Sequence, residues 1–374
     1  MRKGFLEAIA TIVGTIVGAG IFAIPEAAVR AGFAVTTWWL FFLAAVVALL
    51  HTMYGEVVFA TRERHRLVGY ARLYLGKHAA QLAFVSTVVG MVGSLLAYII
   101  LAGDFLFAFF REALPSPLLT TIVWAVLTAA VAMGIRTVAR MELLMTGGLV
   151  AILFVLLASL ATEITPEHFV TVHSWDTAFL PYGVFLFALW GAAAIPEIRD
   201  VVEGDDRSFR RAIIIGTIIP AILYLVFMTV TVGAFGEDAA GNIVEVLSQK
   251  PLMRLSVAAF GFFAVATSFL VLGDYLVKTF EYDLRVRRPL ALAILASPLL
   301  LFFLGARDFL IVVSVIGTIL GAIDGTIITL SWHRVRSQNV SESPRAVRVP
   351  LTLAYLLVVL FLLGATIEIA QLVR

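Results

Sequence analysis

The chain has no cysteine, and only 14% of its 374 residues are charged. The first absence excludes disulfides, thiolate chemistry and cysteine-held metals. The second, with 61% hydrophobic residues and a mean hydropathy of +1.02, excludes a soluble globular domain. A net charge of +2 is too small to suggest a nucleic-acid partner. Motifs are missing as well. The chain has no Gly-x-x-x-x-Gly-Lys-Ser/Thr loop, so it does not itself hydrolyse nucleotide. It has no His-Glu-x-x-His, no Gly-x-Ser-x-Gly and no metal-spaced cluster of histidines and carboxylates. A membrane enzyme is therefore disfavoured, no cofactor is expected, and energy must come from an ion or substrate gradient.

What is present is apolar sequence in long runs. Crossing the hydrocarbon core takes ~20 residues. That ruler predicts eleven spans, near 5–31, 34–60, 80–110, 116–135, 142–162, 178–199, 211–235, 253–281, 288–304, 308–332 and 350–372. No span stands apart, so residues 1–374 read as one membrane domain with lipid around it. Arg2 and Lys3 before an apolar run suggest a signal peptide, but no cleavage site and polar chain follow, so this run is read as the first span. Most of the 27 Lys and Arg residues fall on one side of this count, leaving Arg30, Arg111, Lys250, Arg254, Arg307 and Arg374 on the other. The positive-inside rule then predicts a multi-pass protein of the plasma (inner) membrane, with a cytoplasmic N-terminus and an external C-terminus. The stretch Arg62–His78 reads either as a surface helix, with Leu67, Tyr70, Ala71 and Tyr74 on one face, or as a solvated connector.

The first span contains Gly14-Thr15-Ile16-Val17-Gly18-Ala19-Gly20-Ile21-Phe22 and then Pro25. Each glycine costs a helix interior ~1 kcal/mol relative to alanine. Broken helix at membrane depth survives only where protein, water or ligand satisfies the backbone, so a break here suggests a binding site. Gly14-x-x-x-Gly18 also fits a helix-packing face. On these residues alone the two readings balance. A second copy tips them: Gly20-Ile21-Phe22-Ala23-Ile24-Pro25-Glu26 in span 1 and Gly191-Ala192-Ala193-Ala194-Ile195-Pro196-Glu197 in span 6 are both Gly-x-x-x-Ile-Pro-Glu. Five spans separate them, so such a repeat is inverted, about 5–162 against 178–332, and its breaks face each other at the midplane. Half-helix N-termini suit a carboxylate and freed carbonyls suit an ammonium. An α-amino acid carries both.

These residues resemble the amino acid/auxin permease branch of the amino acid-polyamine-organocation superfamily, including the bacterial aromatic and hydroxy-amino-acid permeases. Tyr54-Gly55-Glu56, Ala97-Tyr98, Gly103-Asp104, Tyr182–Glu197, Gly216 with Pro220 and Tyr224, and Gly273-Asp274-Tyr275 extend the resemblance over most of spans 1–10. It implies an all-α leucine-transporter fold with helices 1 and 6 broken and the helix near 350–372 peripheral. It implies a substrate carboxylate on the backbone of Gly18, Ala19 and Gly20. The amine and side chain would lie near Ile16, Phe187, Ala188, Trp190 and Gly191, with Ser94 and Tyr98 as a further wall. A cation site would use carbonyls of Gly14, Val17 and Ala264 with hydroxyls of Thr267 and Ser268. Ile21 stands where a polar side chain would help a second sodium, so at most one such site is expected. The resemblance leaves H+ or Na+ as the coupling ion, with H+ favoured.

Ionisable groups inside spans are costly and usually functional. Glu26, Glu56, Asp104, Glu197, Asp274 and Asp324 are the coupling or gating candidates. Glu56 would pair with Arg62 or Arg66, and Asp274 with Lys278 at i, i+4. His51 reads as a hydrogen-bonded structural residue rather than a proton carrier. The apolar, small wall at Trp190-Gly191-Ala192-Ala193-Ala194 predicts a neutral apolar or aromatic amino acid as substrate, and the resemblance, with the buried carboxylates, implies its import by symport with alternating access. An exchanger, a transporter-like sensor and a channel are the alternatives. The specific amino acid, the ion and the oligomeric state are not encoded legibly.

Overall fold

The structure, a computed structural model, describes residues 2–63, 65–110, 113–133, 151, 153–155, 157–169, 177–202, 205–240, 251–283, 286–338 and 349–372. The elements assigned there are all helical. They are α1 (Arg2–Ile16), α2 (Ala23–Ala31), α3 (Phe33–Ala60), α4 (Leu67–Leu75), α5 (Lys77–Phe109), α6 (Ser116–Met133), α7 (Leu180–Ala188) and α8 (Ala194–Val201). They continue as α9 (Asp206–Phe235), α10 (Pro251–Lys278), α11 (Arg288–Leu292), α12 (Ser297–Phe303), α13 (Phe309–Ser337) and α14 (Leu351–Leu372). Among the described residues, seven helices are long and apolar enough to cross a membrane, and the bent α1–α2 pair makes up to eight. The ninth predicted span is divided into α11, a 3-10 turn and α12. The fifth, 142–162, lies mostly outside the described residues.

Both predicted breaks are present. α1 and α2 are bent by 50°, joined through Gly18 in extended conformation and a 3-10 turn at Ala19–Phe22. α7 ends at Ala188 and α8 begins at Ala194. The repeated Ile-Pro-Glu writes each restart in the same way. α2 opens Ala23-Ile24-Pro25-Glu26 and α8 opens Ala194-Ile195-Pro196-Glu197. Proline is tolerated there because the first-turn N–H has no intrahelical acceptor. The glutamate that follows sits at the positive end of the new helix dipole.

α13 packs against α5, α7, α3 and α4, while α5 also packs on α10. α14 lies on the outside of α13, with Phe361 buried against Gly325 and with Leu356 and Leu363 exposed. α4 is a packed helix rather than a solvated connector: Leu67, Tyr70 and Ala71 are buried, as the expected face requires. Leu6, Trp38, Phe41 and Phe154 are among the large apolar side chains left facing outward, where hydrocarbon rather than water is the natural neighbour.

Gly32 alone connects α2 to α3 at φ 93° and ψ 137°. That conformation is open to glycine and strained for other residues, at a cost of ~1–3 kcal/mol. Gly32→Val is therefore expected to lower stability in detergent by about that amount; an unchanged melting temperature would show that the turn relaxes freely.

Candidate functional site

The site grows out of backbone that the two breaks leave unsatisfied. Val17 N–H still reaches Val13 C=O at 2.8 Å, and Ile21 N–H reaches Gly18 C=O at 3.4 Å. Between them stand the N–H groups of Gly18, Ala19 and Gly20, at the start of a turn that offers them no intrahelical acceptor. In the second break Trp190 N–H returns to Phe187 C=O and Ala194 N–H to Gly191 C=O. Gly191 N–H instead donates to His51 Nε2 at 3.2 Å.

The breaks touch. A Cβ on Gly20 would stand 2.8 Å from Ala188 Cα, and one on Gly191 would stand 2.5 Å from Ile16 Cγ1. These glycines are thus close-approach residues, and packing and exposed backbone are joint uses of one pattern. Tyr224 of α9 fastens the junction. Its single hydroxyl hydrogen is shared between Ile16 C=O at 2.7 Å and Ala188 C=O at 2.8 Å, one from each broken helix. The freed carbonyls at these two positions are therefore already served by a protein hydroxyl. Tyr224 was visible in the sequence only as part of the resemblance; nothing in its spacing marks a bridge between breaks.

The remaining predicted residues divide into groups. Tyr98 faces Phe187 with ring centroids 6.5 Å apart, and its hydroxyl meets Ser268. A Cβ on Gly18 would lie 2.6 Å from Ser268 Oγ and 3.8 Å from the Tyr98 hydroxyl. Ser268, Tyr98, Phe187 and Gly18 are therefore brought together. Ser94 is buried but bonds back to Gly90 C=O within its own helix. Thr267 likewise donates to Phe263 and Ala264 C=O at 2.9 and 3.1 Å. Gly14 lies in α1, two residues before its end. Trp190 is half-buried beside His51, centroids 6.5 Å apart.

On the arginine-rich side a cavity of about 280 Å³ reaches this junction. Thr11 and Thr15 of α1, Ala193 and Ala194 at the second break, and Val271 and Leu272 of α10 line it. Its rim carries two ion pairs, Arg66–Glu197 at 2.5 Å and Asp274–Lys278 at 2.6 Å. The second is the expected i, i+4 pair. Arg66 takes Glu197 and also lies over the Tyr275 ring, 4.7 Å from its centroid. Glu56 accepts from Trp332 Nε1 at 2.5 Å. Arg199 of α8 caps the end of α3 through the carbonyls of Val58 and Thr61, a cation at the negative end of a helix.

On the α2 side of the junction, aromatic rings pack together. Phe22 packs edge-on against Phe105 and Phe227, with centroids 4.9 and 6.0 Å apart, and all three are fully buried. Glu26 pairs with Arg30 at 2.6 Å toward that face. Asp104 lies in α5, near its end at Phe109. Asp324 is buried in α13 with its carboxylate toward Ser86 of α5.

The described residues form an apolar helical bundle in which two broken helices touch beside a cavity, an arrangement suited to a membrane carrier. Solved structures agree on the fold. MhsT in complex with L-phenylalanine aligns with a TM-score of 0.66 at 16% identity, covering 100% of this chain and 98% of that one. A manganese transporter of Eremococcus coleocola aligns at 0.69 and 15%, covering 98% and 86%. The fold is that of the leucine transporter. The chain belongs to the tryptophan/tyrosine permease family, whose profile matches residues 1–371. It is 27% identical over 250 residues to the tyrosine-specific transport system 2 of Haemophilus influenzae, covering 65% of this chain and 61% of that protein. It is 26% identical over 316 residues to the tryptophan-specific transport protein of Shigella flexneri, covering 74% and 73%. The chain thus spans less than two thirds of the first relative's length. A permease family of transport proteins removes the enzyme reading.

Tyr224→Phe deletes the donor to two buried carbonyls. Leaving such a group unmet costs ~1–3 kcal/mol, so the variant is expected to melt earlier and to lose about tenfold or more in substrate affinity. Wild-type values on both counts would show that the bridge carries no weight.

Proposed function

We propose that this chain is a secondary active transporter that imports a neutral aromatic amino acid, with tryptophan and tyrosine foremost, by cation symport and alternating access. The observation that carries the reading is the meeting of the two breaks at Gly20–Ala188 and Gly191–Ile16 under the Tyr224 hydroxyl. The family and the substrates named for its relatives support the amino acid class.

In this account the substrate carboxylate is held by the N–H groups of Gly18, Ala19 and Gly20, at the positive end of the turn that starts α2. Its amine takes carbonyls of the α1 and α7 ends other than the two that Tyr224 serves. The aromatic side chain lies against Phe187, Ala188, Trp190 and Gly191, with Tyr98 as the facing wall. No charged residue stands among these groups, so a lysine or glutamate side chain would enter without a partner and lose its hydration. The 280 Å³ cavity, with its Arg66–Glu197 and Asp274–Lys278 rim, is the cytoplasmic vestibule. The Phe22–Phe105–Phe227 cluster is the closed external gate, and the two gates open alternately within one domain of inverted repeats. Glu26 and Glu197, each beside an arginine, mark the two ends of the path.

The coupling ion in this reading is the proton. Asp324, buried in α13 against Ser86, is the kind of membrane-depth ionisable group that marks a proton or ion path. A sodium site at Gly14, Val17, Ala264, Thr267 and Ser268 is the second reading. It draws support from the Ser268 hydroxyl, which reaches the break at Gly18.

Two measurements test this. In proteoliposomes, counterflow of labelled tryptophan should be competed by tyrosine and phenylalanine, while lysine, glutamate and glycine compete at least about tenfold less well, since an unpaired charge in the pocket costs more than the 1.4 kcal/mol that equals tenfold. Best competition by a charged amino acid would overturn the pocket assignment. An inward pH gradient in sodium-free buffer should drive accumulation; uptake that appears only with sodium would replace the proton by the second reading.

A further inference from the structure

His51 lies in α3 with no solvent exposure, and its two ring nitrogens tie three elements together. Nε2 faces the Gly191 N–H at 3.2 Å, and Nδ1 lies 3.0 Å from Thr217 Oγ1 in α9. The proton count of this chain fixes the tautomer. Thr217 has one hydroxyl proton and donates it to Ile213 C=O at 2.9 Å, so toward His51 it accepts. Nδ1 therefore carries the hydrogen. Gly191 is a backbone donor, so Nε2 must present a lone pair. Only the neutral, Nδ1-protonated ring satisfies both contacts.

We infer that His51 is the positioning residue that clamps the second break, and that a proton taken up at Nε2 unclamps it. This rests on the proton-coupled transport reading above. Binding a proton at Nε2 gives an imidazolium with two N–H donors. Nε2–H would then oppose Gly191 N–H, donor against donor, and that bond must open. Thr217 can keep its contact, because Nδ1 remains a donor. The effect is thus confined to Gly191, the residue at which the chain leaves α7 for α8. The groups packed around the ring are Ile16 from α1, Trp190 and Gly191 from the break, and Thr217 from α9. None is charged or titrates near neutrality, and no charged side chain acts on the ring among the described residues. The proton has a short way to travel: Thr15 and Ala193, which line the cavity, are sequence neighbours of Ile16 and of Ala192 beside Gly191. In this proposal α8 is then left with its Arg66 and Arg199 ties, and Ala193 and Ala194 shift in the cavity wall, narrowing it.

The absence of native cysteine allows a clean test. A single Val271→Cys in the cavity wall is labelled with a maleimide at about pH 5.5 and pH 7.5, with His51 intact and with His51→Gln. Glutamine keeps one acceptor and one donor but does not titrate. Dividing the rates of the two backgrounds at each pH removes the ionisation of the thiol itself. With His51, labelling should fall about fivefold at the acid pH relative to the Gln background, the equivalent of one hydrogen bond of ~1 kcal/mol. A ratio that stays flat between the two pH values overturns the clamp. Thr217→Val is the second variant. It removes the acceptor on the Nδ1 side but not the Gly191 N–H that selects the tautomer, so the acid-dependent fall in labelling should persist; a fall that disappears with His51 intact also overturns the proposal. If the parent carries no aromatic amino acid in proteoliposomes, the transport reading fails, while the labelling ratio still decides the clamp.

Discussion

Backbone that cannot find a partner in its own helix is the constraint on which this molecule depends. At membrane depth each unmet N–H or C=O costs several kcal/mol, so two broken helices can persist only if something outside them answers. The protein answers some groups itself. Tyr224 takes one carbonyl from each break, and His51 takes one N–H from the second. The N–H groups of Gly18, Ala19 and Gly20 have no helical acceptor, and an anionic ligand suits them. The close approach of Gly20 to Ala188 then follows, since the served carbonyls lie on both sides of that contact.

The same logic bears on what surrounds the breaks. The breaks need a rigid surround to hold two half-helices in register, and α5, α9, α10 and α13 supply it. Arg66 and Arg199 hold α8 from the arginine-rich face through Glu197 and the end of α3. Facing away from them, the Phe22 cluster packs its rings edge-on, worth ~0.5–1.5 kcal/mol per pair beyond buried area.

Much of this was legible in the sequence, for identifiable reasons. Gly-x-x-x-Ile-Pro-Glu announced both breaks because it encodes a physical event, a helix restarting with proline in its first turn. The length of the apolar runs gave α3, α5, α9 and α13 nearly to their ends. The Asp274–Lys278 pair followed from helical spacing. Contacts between distant elements were not legible. Glu56 finds Trp332 across 276 residues, and Arg66 finds Glu197 instead. The roles of Tyr224 and His51 were hidden for the same reason. Each looks like an ordinary side chain within its own helix, and its meaning depends on which break it faces.

The central claim is that an aromatic amino acid is held by bare backbone at the paired breaks. The most direct measurement is an experimental density map of the protein saturated with L-tryptophan. The account predicts the ligand carboxylate within hydrogen-bonding distance of the N–H groups of Gly18, Ala19 and Gly20, and the indole between Tyr98, Phe187 and Trp190. A ligand seated instead against Lys278 and Arg66 at the cavity rim, with the breaks untouched, would contradict it.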